Sequence, residues 1–124
     1  MKFLRTSPTF PISAAVIHSG HTFEAVLTGI PPGGAAPVEG GVFAELKEIF
    51  RQLDELLAQA GIDRTAIASV RLYLADVLGD IDAVNKAYAE YFGSHPPNRR
   101  AYGVVLQRGM KIEAAFVAEI PPSA

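Results

Sequence analysis

The chain has no cysteine, which excludes disulfides, a thiol nucleophile and any cysteine-ligated metal site. It also lacks an excess of positive charge: 13 acidic residues against 11 basic ones leave a formal net charge of −2. With no basic stripe and no aromatic stacking set, no nucleic-acid partner is expected. No run approaches the ~18 consecutive apolar residues of a transmembrane helix, and the N-terminus lacks the basic start and apolar core of a secretory signal. The expectation is a cytoplasmic protein with no membrane association. Also missing are a Ser-His-Asp order, a phosphate-cradling loop and a dinucleotide fingerprint; Gly33-Gly34 is too short and too proline-rich for either of the last two. His18, His21 and His95 show no metal-ligand spacing and read as solvated or interface residues. No metal or organic cofactor is expected.

What is present fits one domain, since 124 residues suffice to bury roughly two thirds of the unfolded surface but not to form two cores. A hydrophobic fraction of 49% is high for such a domain and suggests that other subunits cover part of it. Ala14 to His18 and Thr22 to Leu27 flank Ser19-Gly20-His21 and read as a hairpin, with Met1 to Arg5 as an edge strand. Gly29 to Gly41 is dominated by proline, glycine and alanine and reads as a loop whose amides line a pocket. Val42, Phe43, Leu46, Ile49, Phe50, Leu53, Leu56, Leu57 and Ala60 recur at helical spacing, with polar residues between them and Gly61 as the stop. Ile67 to Leu74 alternates as a strand, with Ala68, Val70, Leu72 and Leu74 on its apolar face. Asp80 is placed as the cap of a second helix reaching Phe92, with Ile81, Val84, Tyr88 and Tyr91 inward.

The C-terminal stretch from Pro96 to Ile120 is the most informative. Arg100 to Leu106 and Met110 to Glu119 read as strands of a hairpin turning at Gln107-Arg108-Gly109. Pro96-Pro97 holds the entry extended and presents Arg99 at a strand end. A guanidinium offers a planar two-pronged fork to a carboxylate, and a glutamate such as Glu113 accepts a proton or holds a water. On this reading Arg99 and Glu113 face one small cleft. Arg100 points the other way, and Tyr73 and Tyr102 pack rather than react.

The same residues carry a family likeness. Pro97-Asn98-Arg99, Lys111-Ile112-Glu113, the helix segment Ile81 to Tyr88 followed by Tyr91-Phe92, and Gly20-His21-Thr22 with Leu27-Thr28-Gly29-Ile30-Pro31 together resemble the RidA family, the YjgF-type proteins also described as endoribonuclease L-PSP. The resemblance covers nearly the whole chain. It implies a chorismate mutase-like α+β fold, a mixed sheet of about five to six strands with two helices on one face. It further implies a barrel-like homotrimer with ligand sites in the inter-subunit clefts. By the same likeness Arg99 binds a substrate carboxylate, Glu113 positions water in preference to Glu119, and Thr28, Gly29 and Asn85 complete the substrate contacts. Three positions depart from the family pattern: Ile12 replaces a tyrosine, Ala14 a glutamine and Ala101 a cysteine, and the spacing from Arg99 to Glu113 is one residue shorter. The pocket is therefore expected to be less polar.

The function that follows from the resemblance is an enamine/imine deaminase-like hydrolase of small 2-amino acid-derived intermediates such as 2-aminoacrylate and 2-iminopropanoate. A non-catalytic trimer binding a small carboxylate metabolite is the first alternative, and an endoribonuclease the second.

Overall fold

In the computed structural model, residues 1–122 are described. The first three strands are β1 (Lys2–Thr6), β2 (Ser13–His18) and β3 (Thr22–Thr28). Helix α1 (Gly41–Gln59) is followed by β4 (Ile67–Leu74), α2 (Val77–Phe92), β5 (Asn98–Gly103) and β6 (Ile112–Glu119). The six strands form one mixed sheet in the order β1-β2-β3-β6-β4-β5, with both helices on one face. This is the two-helix, six-strand arrangement expected for the fold class.

Alternation decides which face is covered. Phe23, Ala25 and Leu27 of β3, Val70, Leu72 and Leu74 of β4, and Ile112, Ala114, Phe116 and Ala118 of β6 are all buried and in register with one another. Helix α1 covers β3 and β6, while α2 covers β4 and β5. Phe50 of α1 stacks on Tyr91 of α2 at a centroid distance of 4.0 Å, and Tyr91 donates a 2.6 Å hydrogen bond to Asp54. The apolar stripe expected for α1 is buried against the sheet, except that Phe43 and Ala60 are only partly covered. Gly61, with φ of 75°, follows the last helical turn, a conformation that glycine adopts without a Cβ clash.

Four expectations are corrected. The C-terminal strands do not form a hairpin: β5 runs parallel to β4, and β6 lies antiparallel between β4 and β3. A local turn does occur where glycine predicts it, with Met110 N–H donating to Gln107 C=O at 3.1 Å. Yet the chain uses the whole segment from 104 to 111 to cross over β4, because α2 has already placed β5 parallel beside β4, on the far side from β6. The second helix starts earlier than expected: Asp76, not Asp80, is the cap, its Oδ1 accepting from the Gly79 N–H at 3.1 Å. In β4 a bulge between Ile67 and Ser69 turns Ile67 inward and leaves Ala68 exposed. Finally, two polar residues of α1, Glu45 and Gln52, are 2% and 1% exposed and belong to its inner stripe. They lie one heptad apart in phase with Ile49 and Leu56, a pattern present in the sequence but obscured by their polarity.

Candidate active site

The predicted site residues fall into two groups on opposite faces of the sheet. Arg99 is in register with the buried Val70 and so points toward the helices, where its Nη2 donates to Asn85 Oδ1 at 2.7 Å. Its guanidinium carbon lies 4.8 Å from the centroid of the Tyr88 ring. Both partners are uncharged, and among the described residues no carboxylate lies within 4.0 Å of Arg99. The fork is therefore fixed in place while its charge remains uncompensated, the arrangement a bidentate anion site requires. The Tyr88 phenol is buried with no hydrogen-bond partner among the described residues, and burial pushes its pKa up to about 12. Arg100, in register with Arg71, emerges on the opposite face, where Tyr102 stacks on Tyr73 at 5.8 Å.

The second group is on that uncovered face. Thr28 and Glu113 are direct cross-strand partners at the junction of β3 and β6, with Tyr73 on the other side of Glu113. They border a cleft of about 690 Å³ whose wall also includes Ile12, Ala14, Val26, Ile30, Gln52 and Arg5. Ile12 and Ala14, which stand where the family pattern has polar residues, make this part of the wall apolar.

Helix α1 fixes both members of the Thr28–Glu113 pair from behind. The Gln52 amide nitrogen is within hydrogen-bond distance of the Thr28 carbonyl (3.2 Å), the Ile30 carbonyl (3.0 Å) and Glu48 Oε2 (2.7 Å). Its Oε1 accepts from Arg5 Nη2 at 2.8 Å. Two turns back, Glu45 Oε1 accepts the Lys111 N–H at 2.9 Å, which pins the chain two residues before Glu113. Burial raises the Glu45 pKa, and the Lys111 hydrogen bond only partly opposes this. Gly29 is needed because α1 passes so close: a Cβ there would fall 2.7 Å from the Glu45 Cβ. The Thr28 hydroxyl accepts the Ile30 N–H at 3.3 Å, which tightens the turn out of β3.

The structure thus brings Arg99 together with Asn85, and Glu113 together with Thr28 and Gly29. Within one chain it does not bring Arg99 to Glu113. Strand β4 lies between their strands, and the register places them on opposite faces. Among the described residues no group of three or more His, Cys, Asp or Glu side chains is arranged to hold a metal, and no helix is long and apolar enough to cross a membrane.

A family profile described as Endoribonuclease L-PSP matches residues 6–120. The chain belongs to the RidA/YjgF family. A human relative named 2-iminobutanoate/2-iminopropanoate deaminase is 36% identical over 109 residues, which cover 87% of this chain and 79% of the relative. A RutC family protein of Pyrococcus horikoshii is 30% identical over 112 residues, covering 90% and 88% respectively. Among solved structures, the fold is shared with RidA from an Antarctic Psychrobacter, with a TM-score of 0.82 at 22% identity over 96% of this chain and 94% of that one. Yeast Mmf1 matches with a TM-score of 0.82 at 21% identity, covering 97% and 94%.

Proposed function

We propose that the protein hydrolyses small 2-imino acids, with Arg99 binding the substrate carboxylate and Glu113 positioning water in a cleft completed by a second copy of the chain in a homotrimer. The observation that carries this reading is the state of Arg99: a guanidinium held by Asn85 and by the Tyr88 face, with no acidic partner among the described residues. The relatives named as imine deaminases supply the reaction class. Assembly is supported by the apolar surface around the Glu113 cleft. Ile12 is 63% and Val26 55% exposed on its wall, and Phe3 is 61% exposed in the adjoining groove. A neighbouring copy covering that surface would carry its own Arg99–Asn85 pair to the Thr28–Glu113 pair.

In such a cleft the Arg99 fork holds the carboxylate and the Thr28-Gly29 turn orients the nitrogen end. Glu113 accepts a proton from water as the oxygen bonds to the imine carbon, and the C=N electron pair moves to nitrogen, which takes up a proton. The resulting carbinolamine collapses: its hydroxyl proton is transferred to the nitrogen, C=O forms, the C–N bond breaks and ammonia departs. No electrons are exchanged with an oxidant or reductant. Positioning and general-base assistance of ~10²-fold to 10⁴-fold suffice for a reaction that proceeds slowly unaided.

Arg99→Ala assayed on freshly generated 2-iminopropanoate tests the reading. Loss of a charge-assisted bidentate contact is expected to lower kcat/KM by about 10- to 100-fold; an unchanged rate above the spontaneous background would end it. The replacement of polar positions by Ile12 and Ala14 favours one other reading, a metabolite-binding trimer without turnover, which would show calorimetric binding of small 2-oxo acids and no hydrolysis of any imine.

A further inference from the structure

The cation that shares the Glu113 cleft within one chain is Arg5, a residue to which nothing in the sequence draws attention. It sits near the end of β1 with φ of 50°, a left-handed conformation that a non-glycine residue keeps only where its surroundings hold it. Gln52 holds it: Arg5 Nη2 donates to Gln52 Oε1 at 2.8 Å, and the Gln52 amide is itself fixed by the Thr28 and Ile30 carbonyls. The acids nearby are engaged elsewhere, since Glu48 and Glu55 pair with Arg51 at 2.8 Å and 2.7 Å. Among the described residues no carboxylate lies within 4.0 Å of Arg5. Desolvation is the largest influence on its pKa and lowers it, while the charges of Glu55 and Glu48, neither in direct contact with it, oppose that shift.

Arg5 and Arg99 therefore have the same status: each is a fork anchored by a neutral amide, with no carboxylate among the described residues in direct contact. The cleft volume of about 690 Å³ falls in the range that accommodates ligands well above three carbons. We propose that Arg5 is a specificity-determining residue that binds a second, side-chain acidic group, so that the preferred substrates are imines derived from dicarboxylic amino acids. The inference rests on the proposed function: on the deaminase activity for the reaction, and on the neighbouring copy's Arg99 for the first carboxylate. With one carboxylate on Arg99 and the imine carbon at Glu113, Arg5 offers the far end of a longer substrate the opposite charge. Ile12 and Val26 offer its methylene stem an apolar wall.

Calorimetric titration of the wild type, Arg5→Gln and Arg5→Lys with glutarate and with butanoate tests this directly. The wild type should bind glutarate ~10-fold more tightly than butanoate, as one added charge-assisted contact implies. Raising the ionic strength should narrow the gap. Arg5→Gln should abolish the preference and Arg5→Lys should retain part of it, with matched thermal melts showing that both variants are folded. In parallel, the ratio of kcat/KM for 2-iminoglutarate over 2-iminopropanoate should fall about 10-fold in Arg5→Gln. Equal affinity of the wild type for the two acids, no glutarate binding, or a preference that survives Arg5→Gln would overturn the proposal. Those results are distinct from failure of the deaminase reading, which would appear as absent imine turnover whatever the dicarboxylate preference.

Discussion

Replacing Gln52 with leucine tests how firmly α1 holds the candidate site. The volume is nearly conserved, so no large cavity is created, while the amide that reaches the Thr28 carbonyl, the Ile30 carbonyl, Glu48 and Arg5 is lost. Glu48 keeps its contacts to Arg51 and Arg5 can turn to solvent, so the cost falls mainly on the two main-chain carbonyls. An orphaned acceptor costs ~1–3 kcal/mol when buried, and both residues here are partly covered, so the expected destabilisation is ~2–4 kcal/mol. For a chain of this length that corresponds to a Tm lower by roughly 10 °C at fixed protein concentration. Urea denaturation followed by far-UV circular dichroism measures the total. Hydrogen exchange locates it: the Ile30 amide, bonded to the Thr28 hydroxyl, and the Val38 amide, bonded to the Gly29 carbonyl, should exchange faster than the global loss explains. Leu53→Ala, a cavity variant on the same helix, is the control, since it should cost ~2–5 kcal/mol without selectively opening that segment. An unchanged urea midpoint, or protection of Ile30 and Val38 that falls no more than in the control, would refute the claim that Gln52 fastens this turn.

Three further predictions concern two buried residues, Glu45 and Tyr88. The Glu45 carboxyl has a folded-state pKa raised above 4.5 by burial, so the native state binds a proton more tightly than the unfolded chain. Its contribution to stability is complete below pH 4.5 and is lost as pH rises through the raised value. Glu45→Gln, which keeps an acceptor for the Lys111 N–H, should therefore raise the urea midpoint at neutral pH more than in mild acid, and a pH-independent difference would contradict this. Tyr88→Phe removes a buried hydroxyl that has no partner and should be neutral or stabilising by up to ~1 kcal/mol, with the ring still beneath Arg99. Tyr88→Leu should instead weaken carboxylate binding about 3-fold through loss of the cation–π contact, read as a higher KM with the fold intact.

The parts of the fold legible in the sequence were those set by local pattern. The first hairpin, the stripe of α1 and the span of β4 follow from periodicity and turn residues, and the structure reproduces them with small shifts at the ends. Strand order was not legible in the same way. Gln107-Arg108-Gly109 does make a turn, but whether the flanking strands pair depends on where α2 has delivered β5, a non-local outcome that no window of residues encodes. The same limit applies to the site. Pairing of Thr28 with Glu113 and of Arg99 with Asn85 follows from register and helix placement. Arg5, Glu45 and Gln52 were missed because polar residues on an edge strand or a helix read as solvent-facing until their burial is known. Glu45 and Gln52 did leave a trace, since both fall in phase with Ile49 and Leu56.

The two arginine-and-acid halves of the site are mounted on different helices: the Glu113 side is gripped by α1, and the Arg99 side rests on α2 through Asn85 and Tyr88. The two helices still meet through the Phe50–Tyr91 stack, but the side chains that hold each half are separate. On the proposed reading, a lineage that keeps α2 intact would retain its grip on the common carboxylate of every imino acid, while substitutions along α1 and β1 would retune the opposite end for substrates of different length and charge.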